Sequence, residues 1–268
     1  MFTQADIHAQ LAAMGAPQDR PVIIHTSLRA VGEVEGRGDG FLDALIAYFT
    51  AQGGLCCIPA HNWNNLSHPE RITLDLTKAE TCIGTLPNLA AARPEGHRSL
   101  HPTHSTTVFG DAERAEAFIS GEPTNMTSTG PEGCYGRLYR EDGCVLLIGV
   151  GQERNTYIHA VEEMLGVPNR ISAESREATI RLPSGEIIRR PLYYHKNVGI
   201  TPFISYQYPK YEPAFRHHGC ITDGQVGYAP AMLCSARGIY DVVKLIYERS
   251  GGIELLADAT PLDEAYWK

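Results

Sequence analysis

The 268-residue chain has no apolar run approaching the roughly 18 uncharged residues that a membrane-spanning helix needs. Its start, Met1-Phe2-Thr3-Gln4-Ala5-Asp6, has no basic segment leading into an apolar stretch, so no signal peptide is expected and the expected compartment is the cytoplasm. Seven cysteines stand at positions 56, 57, 82, 134, 144, 220 and 234. An odd number without a CxxC pair argues against a disulfide framework and against a Cys-rich zinc site. Basic charge is short too: 23 Lys and Arg against 31 Asp and Glu give a formal net charge of −8. That excludes the basic footprint of non-specific nucleic-acid binding, and it is compatible with a cationic ligand drawn to an acidic cleft. The common phosphate and nucleophile signatures are also missing. Gly149-x-Gly151 is followed by Arg154 where a dinucleotide fingerprint has its third glycine, and GxxxxGK[ST], GxSxG and HExxH are all absent.

What is there reads as an ordinary globular chain, 43% hydrophobic and 20% charged, forming a single domain over residues 1–268. Thr3 and Asp6 suggest a capping box that opens a helix carrying Ile7, Leu11 and Met14, stopped by Gly15. Pro21-Val22-Ile23-Ile24-His25 reads as a buried strand. A helix with Phe41, Leu42, Leu45, Ile46 and Phe49 on one side follows, and Leu55-Cys56-Cys57-Ile58-Pro59 reads as a second strand. Strand, helix, strand suggests a βαβ unit. The expected fold is therefore α/β or mixed α+β, with a central mixed, partly parallel sheet flanked by helices. Cys144–Ile148 is the clearest buried strand, residues 178–190 read as a hairpin turning at Ser184-Gly185, and Ile239, Val242, Val243, Ile246 and Tyr247 mark a late helix. Polar stretches at 61–80 and 120–134 are long for connections and point to function.

Three segments carry chemistry. In Gly149-Val150-Gly151 through Glu163, a buried strand ends in a glycine turn and opens into a helix capped by Asn155 or Thr156. His159 and Glu162 are three apart, so they share a helix face, and a histidine supported by a carboxylate suits a general base. A helix-surface His–Glu pair is the other reading of that spacing. In His101-Pro102-Thr103-His104-Ser105-Thr106-Thr107, two histidines suggest either metal ligands or a tight polar loop entering a strand at Ser105–Phe109. His25-Thr26-Ser27-Leu28-Arg29 puts hydroxyls and a cation at a strand end, which suits a phosphate or pantetheine chain, or is simply a polar loop.

Taken in order, these segments resemble the aminoglycoside 3-N-acetyltransferase family, the antibiotic N-acetyltransferases, whose fold is distinct from that of the GNAT enzymes. The match runs through His25–Arg29, Gly53–Pro59, Arg98-Ser99-Leu100-His101-Pro102 with Gly110, Leu146–Gly151 continuing into Asn155-Thr156, His159 and Glu162, and Gly224–Ala229. The resemblance implies acetyl-CoA as co-substrate, no metal, and transfer to an amine, most simply the 3-amino group of an aminoglycoside, with His159 as base and Glu162 beside it. It implies a CoA groove lined by His25, Thr26, Ser27, Leu28, Arg29, Arg98, Ser99, His101, Ser105, Thr106 and Thr107. Some family members carry acidic residues where this chain has Tyr193-Tyr194-His195 and His61-Asn62-Trp63-Asn64-Asn65. Asn65 and His195 are accordingly the candidates for contact with the acceptor. The expected partners are a small-molecule amine, no nucleic acid and no membrane, in a monomer or homodimer. The alternatives are an acyltransferase for a non-aminoglycoside amine, a CoA-binding module without catalysis, or a metal-dependent hydrolase built on His101, His104 and His159.

Overall fold

The computed structural model describes residues 1–68, 70–197, 199 and 201–268. The first half runs α1 (Gln4–Ala13), β1 (Pro21–Thr26), α2 (Leu28–Val31), α3 (Arg37–Thr50), β2 (Leu55–Pro59), β3 (Leu74–Asp75), α4 (Thr85–Ala92), β4 (His97–Arg98), β5 (Thr106–Phe109) and α5 (Ala112–Ile119). It continues through α6 (Cys134–Arg140), β6 (Cys144–Ile148), α7 (Tyr157–Met164), β7 (Arg176–Arg181), β8 (Ile187–Leu192), α8 (Glu212–His217), β9 (Ile221–Val226), β10 (Ala229–Ser235) and α9 (Ala236–Arg249). Among the described residues no helix is long and apolar enough to cross a membrane.

Seven strands form one mixed sheet in the order β4-β5-β2-β1-β6-β10-β9. Its centre is parallel, β2 beside β1 beside β6, and the outer strands are antiparallel. The parallel centre explains the unbroken apolar runs, because both faces of such strands are covered. Ile23, Cys57, Val145 and Leu147 join the core under α5 to α9, whereas Val22, Ile24, Cys56, Leu146 and Ile148 join the core under α1, α3 and α4. The period-two alternation of the strand sends neighbours to opposite cores. At the start of the chain, Thr3 accepts from the amide of Asp6 while Asp6 reaches back to the amide of Thr3, closing the capping box.

A second sheet, β3-β7-β8, contains the expected hairpin, β7 with β8, and recruits β3 from the 61–80 stretch. That stretch is therefore not an open loop. It holds a 3-10 turn, Trp63–Ser67, and is latched to β7 by a reciprocal pair: the Thr73 amide donates to Thr179 Oγ1 and the Thr179 amide to Thr73 Oγ1, each at 3.0 Å. Both threonines are buried. Replacing Thr73 by Val keeps the shape but leaves the Thr179 amide without an acceptor. The expected loss is about 1–3 kcal/mol of unfolding free energy, read from urea denaturation, with an unchanged m-value.

Candidate active site

The parallel pairing of β1 with β6 places His25 beside Leu147 and Thr26 beside Ile148, so the segments that follow both strands emerge at one edge of the sheet. Ligands bind at such edges. Gly149 makes the exit from β6 possible: its φ is +64°, and a Cβ there would come within 2.6 Å of Ala30 Cβ. At this edge lies a cavity of about 870 Å³, lined among others by His25, Thr26, Ser27, Arg154 and His159 and by Trp63, Arg176, His195, Lys196 and Phe203.

His159 belongs to α7, whose first turn is set by Asn155: its side-chain oxygen accepts from the Tyr157 amide at 3.2 Å, while Thr156 makes no side-chain cap. His159 and Glu162 do stand one turn apart, but a third residue joins them. Tyr208, in the 3-10 segment Ile204–Tyr211, donates its phenol proton to Glu162 Oε2 at 2.9 Å and lies 2.6 Å from His159 Nδ1. With its one proton committed to the carboxylate, the phenol oxygen accepts from His159 Nδ1–H. The lone pair of the imidazole is thereby assigned to Nε2.

Glu162 is fully buried, which raises its carboxyl pKa, and its neighbours oppose that effect. Arg170 Nε lies 2.8 Å from Oε2, and the Tyr211 hydroxyl donates to Oε1 at 3.3 Å. Arg170 is itself clamped by both oxygens of Glu254, at 2.7 and 3.0 Å. Burial opposes the charge on Arg170, but its two carboxylate partners win and its pKa rises. The guanidinium between two carboxylates favours the ionised form of Glu162 against burial, which still leaves its pKa raised on balance.

The adjacent carboxylate serves a different wall. Glu163 accepts from the Thr129 amide at 3.0 Å and from the hydroxyls of Thr127 and Thr129, and it lies 3.2 Å from His195 Nε2. Burial pushes its pKa up, but these bonds outweigh burial and the net shift is downward. His195, so held, stacks on His159 with ring centres 3.8 Å apart and planes 7° from parallel. His104 and His61 continue the row at 5.1 and 4.6 Å between successive ring centres. Burial first, and then the neighbouring imidazoles, holds His61, His104 and His159 well below the ordinary histidine pKa. Burial together with Arg154 lowers His25 to about 4.

The other expected residues divide. His25, Thr26 and Ser27 line the cavity, and His25 Nε2 and Thr26 Oγ1 are buried polar atoms with no partner. Leu28 and Arg29 fall on α2 outside the lining, Leu28 packed on the core and Arg29 exposed. Arg98 is turned away, donating to the carbonyls of Ala60, Lys78 and Glu80 and to Ser105 Oγ. Ser99 accepts from the Thr106 amide, and Ser105 donates to the Ala60 carbonyl. Both nitrogens of His101 are consumed by main chain: Nδ1 accepts from the amides of Thr103 and His104, and Nε2 donates to the Thr127 carbonyl. Thr106 and Thr107 are buried on β5, so the 98–107 segment reaches the cavity through Thr103 and His104 instead. Asn65 donates to the carbonyls of Ile72 and Thr73 and lines a separate polar cleft. Among the described residues no three His, Cys, Asp or Glu side chains are grouped to hold a metal ion, and His101, spent on the backbone, cannot join His104 and His159 in such a set. Nor is the cavity acidic: Glu153 is the one carboxylate among its described lining residues. Tyr208, Arg170, Glu254, Thr127 and Thr129 were not foreseen from the sequence.

Residues 23–248 match the family model described as aminoglycoside 3-N-acetyltransferase. The chain is 26% identical over 277 residues to aminoglycoside N(3)-acetyltransferase IV of Salmonella sp, covering 98% of this chain and 97% of that protein. A mutant of aminoglycoside acetyltransferase AAC(3)-IVa with one histidine replaced by alanine, solved in complex with a gentamicin, is similar with a TM-score of 0.77 and 23% identity over 100% of this chain and 94% of that one. AAC-IIIb, solved as a binary complex with CoASH, gives a TM-score of 0.75 and 22% identity over 89% and 93%.

Two outcomes follow from the geometry. Tyr208→Phe removes the bridge while keeping the ring, freeing the imidazole tautomer. It should lower turnover about 10- to 100-fold with the acetyl-CoA KM unchanged, measured by thiol release. The buried neutral histidines make the second. The unfolded chain takes up protons at its histidines near pH 6.5 while the native chain refuses them. Each such proton costs about 1.4 kcal/mol of stability per pH unit. Stability should therefore hold above pH 6.5 and fall between there and about 4, the value for His25. Denaturant titrations at stepped pH give that slope, and a flat profile across the window would show these groups protonated in the native state.

Proposed function

This chain belongs to the aminoglycoside 3-N-acetyltransferase family, and we propose that it transfers the acetyl group of acetyl-CoA to a primary amine, with His159 as the general base. The observation that carries the base assignment is the Tyr208 bridge, which commits Nδ1 and leaves Nε2 as the proton acceptor. The acceptor that family membership offers first is the 3-amino group of an aminoglycoside. A second reading, another amine, is favoured by the scarcity of carboxylates in the cavity lining.

Acetyl-CoA supplies the acyl carbon and a thiolate leaving group. His159 Nε2 takes a proton from the amine as its nitrogen attacks, so that a C–N bond forms and the C–S bond breaks. The imidazolium then returns the proton to the departing sulfur. Its charge is met through Tyr208 by Glu162, whose ionised form Arg170 stabilises. The depressed pKa of His159 keeps it neutral at working pH, as a base must be. His25 Nε2 and Thr26 Oγ1, buried and unpartnered at the cavity edge, together with Ser27 and Arg154, would hold the donor, whose amides, hydroxyls and phosphates fit polar atoms and a cation. Arg29, exposed one turn away, would contribute at most from outside the lining.

His159→Ala should lose about 10²- to 10⁴-fold in kcat while melting normally and still binding CoA. Turnover close to normal per folded molecule would remove the base from this mechanism.

A further inference from the structure

We infer that the acceptor carries, besides its reactive amine, an anionic group received by Arg176 and Lys196. This rests on the acetyl-transfer reading of the same cavity and names its substrate class. Three cations line the cavity, Arg154, Arg176 and Lys196, and among the described residues none meets a carboxylate within ion-pair distance. Elsewhere the arginines of this chain are commonly spent on Asp or Glu, as Arg170, Arg181 and Arg216 are. The one lining carboxylate, Glu153, already accepts from the Gly151 amide at 3.2 Å. Glu162 and Glu163 behind the wall are saturated by Arg170, the phenols, His195 and the threonines. Among the described residues, a polycation entering this cavity meets a single carboxylate, Glu153, whereas an anion meets three cations without a carboxylate partner.

The cations come from two parts of the fold. Arg154 follows β6 and acts on His25, on the side assigned to the donor. Arg176 lies on β7 and Lys196 follows β8, in and beside the smaller sheet. Both of the latter are exposed and lightly tethered. The Arg176 guanidinium sits 4.4 Å over the Tyr194 ring and donates to Ser67 Oγ at 3.4 Å. The Lys196 amide donates to the Arg170 carbonyl at 2.8 Å, and its ammonium to Asn169 Oδ1 at 3.4 Å. Tyr194 directly precedes His195, whose ring lies on His159, so one short stretch of chain connects the base to the anion subsite. Trp63, Phe203 and Tyr206 form an aromatic wall with ring centres 5.9 and 5.8 Å apart, apolar surface for the part of the acceptor between its two ends.

The test is a matched panel assayed by thiol release with acetyl-CoA. It comprises ω-amino carboxylates and ω-amino phosphate esters of several lengths, the corresponding amides and amino alcohols, and gentamicin and apramycin. The anionic amines should exceed their neutral counterparts in kcat/KM by roughly 10- to 100-fold, and the two series distinguish a carboxylate from a phosphate. Arg176→Gln and Lys196→Gln should each erase much of that advantage through the acceptor KM, leaving the acetyl-CoA KM unchanged. Equal use of acid and amide, faster turnover of the aminoglycosides, or a raised acetyl-CoA KM in either variant would overturn the inference while acetyl transfer stands. No thiol release with any amine, from folded enzyme that binds acetyl-CoA, would defeat the transfer reading and this inference with it.

Discussion

The buried carboxylate of Glu162 is the constraint around which the site is built. Taking an ion out of water costs several kcal/mol, and only close charge and hydrogen-bond partners offset that cost. Here the partners come from two places, Arg170 after α7 and Tyr208 and Tyr211 in the segment before α8, and Glu254 beyond α9 secures the arginine. One charge on α7 therefore ties down the chain from that helix to the stretch beyond α9. The same arrangement gives Tyr208 a single use for its proton, and that decides which nitrogen of His159 is free. Stability and chemistry rest on the same few bonds.

A second consequence concerns the row of imidazoles. His159, His195, His104 and His61 stand in ring-to-ring sequence at the floor of the cavity. Adjacent imidazoles in a dry setting resist shared protonation, since each charge raises the cost of the next. Burial and neighbour repulsion act in the same direction on His159, so its neutrality does not depend on a single contact. The distance from Glu162 matters too. A carboxylate touching the ring directly would raise its pKa, whereas one acting through a phenol orients the ring and tempers that rise.

Much of the frame was legible in the chain. The parallel centre shows as uninterrupted apolar runs, the glycine turn after β6 as Gly149-x-Gly151, and the His159–Glu162 pair by its helical spacing. What joins that pair was not, because Tyr208 is 49 residues further on in a 3-10 stretch of mixed tyrosines with no periodicity to mark it. Glu163 was similarly opaque. Successive residues on a helix point about 100° apart, so the neighbour of an inward carboxylate serves another wall, a partition visible only once Thr127, Thr129 and His195 are in place. Arg98 and His101 show the converse. Their residue types suit phosphate or metal, yet Arg98 satisfies carbonyls of the 60–80 stretch and His101 the amides of its own turn, where few regular backbone bonds are made.

The net charge of −8 and the cation-lined cavity are not in conflict, because they act over different distances. At physiological ionic strength surface charges are screened over about 8 Å, so the overall field biases approach and has little hold inside a recess. Contact there is decided by the side chains present, and those come from separable parts of the fold. His159, Tyr208 and Glu162 belong to α7 and the segment before α8, packed into the main core. Arg176 and Lys196 belong to the small sheet and the stretch after it, which is joined to the rest in part by the bond from the Lys196 amide to the Arg170 carbonyl. A wall made by one sheet can change its charge without disturbing bonds made by another. The charge of that wall can therefore vary, but His195, stacked on His159 and adjacent to Tyr194 and Lys196, keeps it tied to the imidazole.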